Sequence, residues 1–393
     1  MDYLKVMFHA LLLVSLSACA THTVRSTTYA PIVSDSQGIP EDLLLDVGVY
    51  IFDPGIDEIH RKDKELTSDQ IRVAETRYSA FTLAETLQRS ANWGIVRLMP
   101  NGSSPVDIKV NGTILRSNGE RMVIRVEVSD ASGKEWYTRE YEEAISKFSY
   151  DPRQRQKNEP FQPIYNQIAN DLLEYRDNNI TANEVKRLRS LSEVLFAYRF
   201  SEEIYGQYLT TNSDGEYLLT SLPADNDPLL ERIRTIRERD FMFIDTVQDY
   251  FSTYVRQMRV PYDSWRQQSY EETVRLRELE AKARRKLIGG IGAIVGGAVA
   301  ASQGSGPLSS AVGIGAAGGG AYLIRESFRN RADTKMHIEA LKELAESFEN
   351  GIAPQVIALD DKVITLSGSV EEQYEQWSEI LNELYREEMG NKM

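Results

Sequence analysis

Met122-Val123-Ile124-Arg125-Val126-Glu127-Val128 alternates apolar and polar side chains over its last five residues. Successive side chains of an extended chain point to opposite faces, so this alternation marks a strand with one buried and one wet face. Similar runs flank it: Ile108-Lys109-Val110-Asn111-Gly112-Thr113-Ile114 before, and Trp136 to Tyr141 after. Asp130-Ala131-Ser132-Gly133 joins the second and third runs with the residue types of a tight turn. Upstream, Leu44-Leu45-Asp46-Val47-Gly48-Val49-Tyr50-Ile51-Phe52 predicts a buried strand, stopped by Asp53-Pro54-Gly55. From about Ser68 to Ser90, Val73, Phe81, Ala84 and Leu87 fall at helical spacing. Trp93 and Gly94 end that helix, Ile95 to Met99 gives another strand, and Pro100 closes it. A second helix is expected from about Pro163 to Tyr175. The order β-α-β-β-β-β-α predicts a helix-covered mixed sheet over residues 43–178.

The middle of the chain, 182–287, has helical periodicity. Val185 to Leu209 carries Leu188, Leu191, Val194, Leu195, Tyr198, Phe200 and Tyr205, and Asn212-Ser213-Asp214-Gly215 breaks it. After Pro223 and Pro228, Leu229 to Met258 presents a wide apolar stripe that includes Ile233, Ile236, Phe243, Val247 and Phe251. Proline lacks an amide hydrogen and its ring collides with the preceding turn, so Pro261 is expected to end this helix. Another helix then runs from Tyr262 towards Leu287, its later part strongly charged and read as a solvated connector. Residues 325–393 suggest a helix from His337 to Phe348, a hairpin of Gln355–Leu359 with Lys362–Leu366, and a last helix from Val370 to Glu388. Tyr374, Trp377, Ile380, Leu381 and Tyr385 would pack that helix back on the middle ones. The fold class is α+β: an N-terminal sheet domain, then a mostly helical body.

The net charge of −14 disfavours a nucleic-acid partner, and no basic strip interleaved with aromatics offsets it. The chain has one cysteine, Cys19, in Leu16-Ser17-Ala18-Cys19, preceded by an apolar run from Met7 and by Lys5. The apolar run is about ten residues, the length of a signal-peptide core and too short to span a bilayer. This stretch resembles the lipobox of bacterial lipoprotein signal peptides. The resemblance implies removal of residues 1–18 and acylation of Cys19. Ala20, which is not aspartate, further implies sorting to the outer membrane, with the protein facing the periplasm. Residues 19–42 are polar and read as a flexible tether from the lipid to the first domain.

Residues 288–324 stand apart. Ile288 to Ala301 and Leu308 to Arg325's neighbour Ile324 contain no charge, and Ser302-Gln303-Gly304-Ser305-Gly306-Pro307 separates them. Gly289, Gly292, Gly296, Gly297, Gly313, Gly315, Gly318, Gly319 and Gly320 punctuate the two arms. Steps of three and four residues put the first of these on one helical face, which lets helices approach closely in lipid. In a water-exposed helix each would cost about 1 kcal/mol relative to alanine. The arms would be roughly 21 and 25 Å long as helices, close to the ~25 Å apolar band of outer-membrane proteins. Arg284, Arg285 and Lys286 before the segment, and Arg325, Arg329 and Arg331 after it, favour one headgroup layer for both ends. The segment resembles the glycine-zipper two-helix domain of small outer-membrane lipoproteins, which implies a second, hairpin-type hold on the membrane.

Phe81 to Tyr141 is similar in pattern to the α/β domain of the curli-secretion pore family and of the penicillin-binding-protein activators. Both are non-catalytic and work by assembly or by touching an enzyme. The residues that could carry chemistry fit that implication. His22, His60 and His337 each stand alone, without a second metal ligand at a useful spacing. Gly313-Ile314-Gly315-Ala316-Ala317-Gly318 has the spacing of a dinucleotide loop, but a proline turn precedes it where a strand is needed. Asp360-Asp361 and Glu202-Glu203 read as solvated surface. The expectation is no enzyme, no cofactor beyond the lipid on Cys19, and no small-molecule substrate. It is instead a structural, self-associating outer-membrane lipoprotein of an envelope assembly serving export, secretion or envelope integrity. The second reading is a monomeric activator that binds a periplasmic enzyme.

Overall fold

The computed structural model describes residues 22–26, 31–34, 38–58, 69–100, 105–150, 159–224, 226–300, 336, 338–340, 342–343, 346, 355–359 and 362–390. Cys19, the signal segment and Gly313, Gly315, Gly318, Gly319 and Gly320 lie outside these, as do His60, His337 and Asp360-Asp361.

The sheet strands are β1 (His22–Ser26), β2 (Val47–Tyr50), β3 (Val96–Met99), β4 (Ile108–Ser117), β5 (Arg121–Asp130) and β6 (Glu135–Ala144), in the order β1-β6-β5-β4-β2-β3. β2 is parallel to β3 and β4, while β4, β5 and β6 form an antiparallel meander. The expected alternation holds along β5: Met122, Ile124, Val126 and Val128 are buried, and Val123, Arg125 and Glu127 are not. On the wetter face Arg125 sits opposite Glu140 of β6 and pairs with it at 3.2 Å. Two helices, α1 (Asp69–Ser90) and α2 (Gln162–Asn179), cover the other face.

β1 falls in the stretch read as tether. It pairs parallel to β6, from His22 opposite Arg139 to Ser26 opposite Glu143, so a strand starts three residues after Cys19. Two more bonds hold residues further along that stretch. Asn92 donates to the Val33 carbonyl at 2.7 Å, and Asn170 donates to the Pro31 carbonyl at 3.0 Å.

The helical body consists of α3 (Ala182–Phe200), the short α4 (Glu202–Tyr205) and α5 (Pro228–Ala300). Thr181 and Glu184 form a reciprocal cap at the start of α3. The break at Asn212 is the turn of a small hairpin, β7 (Leu209–Thr211) with β8 (Tyr217–Leu219). β9 (Gln355–Leu359) and β10 (Lys362–Leu366) pair antiparallel as expected, followed by α6 (Val370–Gly390). Trp377 of α6 stacks on Phe243 of α5 at 5.4 Å, and Tyr385 meets Phe200 at 5.5 Å, so the tail does pack on the middle helices. One buried apolar core runs from Leu45 in the sheet domain to Tyr385 in α6.

α5 corrects the sequence reading most. It is a single helix of 73 residues, and Pro261 lies inside it. Met258, Tyr262 and Trp265 are fully buried around the proline, and this packing holds the turn that proline disfavours. The same helix continues into Gly289, Gly292, Gly296 and Gly297, so the first glycine arm is the end of α5 and no separate element. Among the described residues no helix is long and apolar enough to cross a membrane.

Removing the proline tests this account. Proline costs about 3 kcal/mol in a helix interior and returns up to about 1 by stiffening the unfolded chain. Pro261→Ala should therefore raise unfolding stability by about 2 kcal/mol in urea titration, with unchanged helix content.

Candidate functional site

α5 is fastened to the sheet domain in steps along its length. At the edge strand, Arg97 of β3 donates to both carboxylate oxygens of Asp245, at 2.7 and 3.2 Å, and its guanidinium lies 4.2 Å from the Phe241 ring centre. The Leu98 amide donates to Gln248 Oε1 at 3.3 Å, so α5 occupies hydrogen-bonding groups that an edge strand would otherwise offer to another chain. Further on, Tyr254 donates to the Ala74 carbonyl of α1, and Ser269 donates to the Asn118 carbonyl in the β4–β5 turn. Arg277 pairs with Glu120 of that turn. Gly119 has φ +73°, and a Cβ there would run into the Arg266 carbonyl oxygen, so only glycine permits this approach.

The strongest fastening is internal. Arg266 is fully buried, donates to both oxygens of Glu159 at 2.5 and 3.0 Å, and donates to Asp263 at 2.5 Å. Its guanidinium packs on the Tyr262 ring at 4.1 Å. Tyr78 of α1 donates to the same Glu159 at 2.5 Å. Tyr262 also links to a second buried group: its hydroxyl donates to Glu75 at 2.8 Å, beside Ser117 of β4 and Arg72 of α1. Burial alone would push Glu159 up, but the Arg266 charge and the hydrogen bonds from Arg266 and Tyr78 outweigh it and hold the carboxyl below its ordinary 4.5. Burial pushes Tyr78 well above its ordinary value, with the neighbouring Glu159 charge adding to it. Arg266 stays charged, since burial is outweighed by the Glu159 charge and its neighbours.

A polar cleft of about 330 Å³ opens at the other end of the docked helix, between the strand starts, α3 and α5. Asp46 and Asp107 directly precede β2 and β4. Asp107 accepts from the Asp46 amide at 2.9 Å, and Asp46 accepts from the Ile95 amide at 2.8 Å, which ties the starts of three strands together. Ser192 of α3 donates to Asp107 at 2.5 Å, and Arg237 donates to Ser192 Oγ at 3.1 Å. Burial raises the Asp107 carboxyl above its ordinary value and lowers Arg237 below its own. The serine hydroxyl is thus held between a carboxylate and a guanidinium. Among the described residues no imidazole or thiol lines the cleft to activate it. The arrangement suits hydrogen bonding to a small polar group or simple structural stitching.

The sequence-predicted residues do not converge on this region. Gly289, Gly292, Gly296 and Gly297 lie in the last turns of α5, beyond Arg277. His22 is at the start of β1, and Glu202 and Glu203 are exposed at the start of α4, where Glu202 accepts from Tyr198 at 2.7 Å. Among the described residues no group of three or more His, Cys, Asp or Glu is placed to hold a metal. Sequence reading missed Glu159, Arg266, Asp107 and Arg237. The one available signal was charged residues recurring within apolar helices, as in Ile71-Arg72-Val73-Ala74-Glu75. No protein family, curated protein or solved structure matches this chain.

Removing one partner of a buried ion pair leaves the other unpaired, so Arg266→Ala should cost about 3–5 kcal/mol in chemical denaturation. Because Glu159 is held below 4.5, its contribution is complete above that pH and is lost as pH falls through the lower folded value. Glu159→Gln should lower stability at neutral pH and flatten the decline below pH 4.5 in a pH series of unfolding curves.

Proposed function

We propose that this chain is an outer-membrane lipoprotein, held by an acylated Cys19 and facing the periplasm, that serves as a structural, self-associating part of a cell-envelope assembly. The observation that carries this reading is the continuity of α5. One helix runs from the buried Arg266 fastening into the glycine steps at Gly289, Gly292 and Gly296. Steps of three and four residues put these glycines on one side of the helix, the kind of face through which helices meet closely.

The test is native mass spectrometry of the detergent-solubilised protein with and without residues 288–324. The last described fastening of α5, at Arg277, lies before the deletion, so the folded body is retained. The full chain should give defined oligomers and the shortened chain monomers. A full chain that is strictly monomeric at micromolar concentration would remove self-association from the reading.

A further inference from the structure

The charges of the cleft between the strand starts, α3 and α5 fall into two groups: those answered inside the protein and those that are not. Arg234 gives Nε and Nη2 to the two oxygens of Glu193 and Nη1 to Glu231. Asp107 accepts from the Ser192 hydroxyl on one oxygen and from the Asp46 amide on the other. These groups are satisfied.

Arg237 is not. Both of its hydrogen bonds leave from Nη2, to Ser192 Oγ and to the Pro105 carbonyl, and neither acceptor is a carboxylate. Its Nε is enclosed without a partner, and Nη1 has none among the described residues. Arg97, Arg234 and Arg266 each set two nitrogens on one carboxylate, the contact that suits a guanidinium best. Arg237 lines the cleft without that contact. The nearby charges of Asp107, Glu193 and Asp46 favour its charged form, yet burial outweighs them and lowers it below its ordinary value. An anionic group in the cleft would supply the missing direct partner.

The opposite charge is also open there. Asp46 spends one oxygen on the Ile95 amide, and its other oxygen has no hydrogen bond among the described residues. Glu238 lines the same cleft and is exposed. An anion alone would meet Arg237 but face Asp46, Asp107 and Glu238. A cation alone would face Arg237 and Arg189, whose bond goes to the Glu41 carbonyl. A neutral sugar would leave the Arg237 charge unanswered, and the Phe241 ring is already engaged by Arg97 at 4.2 Å and Arg237 at 5.2 Å. A ligand with both charges satisfies both sides. The cleft volume of about 330 Å³ is that of a small-molecule site.

We propose that this cleft binds a small zwitterion, an amino acid or short peptide, with its carboxylate on Arg237 Nη1 and its ammonium on the open oxygen of Asp46. The site is for binding, and no reaction is attached to it. It lies apart from the glycine steps of α5, so it stands whether or not the chain self-associates. The probes are the common L-amino acids and L-alanyl-L-alanine, each at about 10 mM, in saturation-transfer NMR on the detergent-solubilised full chain. At least one should give saturable transfer, and acetylating its amine or amidating its carboxylate should weaken binding by about tenfold or more. Asp46→Asn keeps an acceptor for the Ile95 amide and should make the acetylated and free-amine forms bind alike. Arg237→Gln should do the same for the amidated and free-acid forms, with urea midpoints confirming that both variants fold. The blocked probes decide on the unaltered chain even if the Arg237 variant does not fold. No transfer from any probe, or blocked forms that bind as well as the zwitterion, overturns the site.

Discussion

A buried guanidinium must find its counter-charge inside the protein, and Arg266 meets this constraint with Glu159. Withdrawing each ion from water costs several kcal/mol, so the pair is stable only if its partners hold both groups in register. Asp263, Tyr78 and Tyr262 do so, and they come from two different helices. The position of α5 on the sheet domain follows from that register. A slip of one helical turn would leave two charges buried and unpaired, whereas apolar contacts alone would tolerate it at smaller cost. The apolar stripe supplies adhesion and the buried charges fix the alignment.

That division explains what could be read in the chain. Period-two alternation and turn chemistry gave the meander of β4, β5 and β6, because those signals are local. The stripe of α5 was equally legible at Ile233, Ile236, Val247 and Phe251. The wrong inference at Pro261 came from treating helix propensity as decisive where tertiary packing of Met258, Tyr262 and Trp265 overrides it. α1 was legible as a helix but not as one enclosed on nearly every side. Val73, read as a core position, is only partly buried, while Arg72 and Glu75 are completely enclosed. Nothing in the local spacing says that α5, some 190 residues later, will cover the charged side of α1 and supply Tyr262 to Glu75.

The cleft was invisible for a similar reason. Asp46 and Asp107 look like ordinary loop acids in sequence, and they become significant only because parallel pairing aligns the starts of β2, β3 and β4. Parallel strands set their first residues side by side, and the acids there satisfy amides that the ladder does not reach. Arg237 and Ser192 arrive from distant helices to neutralise that cluster.

β1 has a consequence for how the molecule forms. The first strand to be synthesised pairs with β6 across 117 residues, from His22 to Arg139. Ordering a loop of that length is entropically expensive and is rewarded only once its far end exists, so contacts of this kind are made late. Until β1 closes, β6 offers an open ladder, and the opposite edge waits for α5, whose Asp245 meets Arg97 across 148 residues. The chain therefore passes through its folding with adhesive edges, and the strand that silences one of them begins only three residues after Cys19.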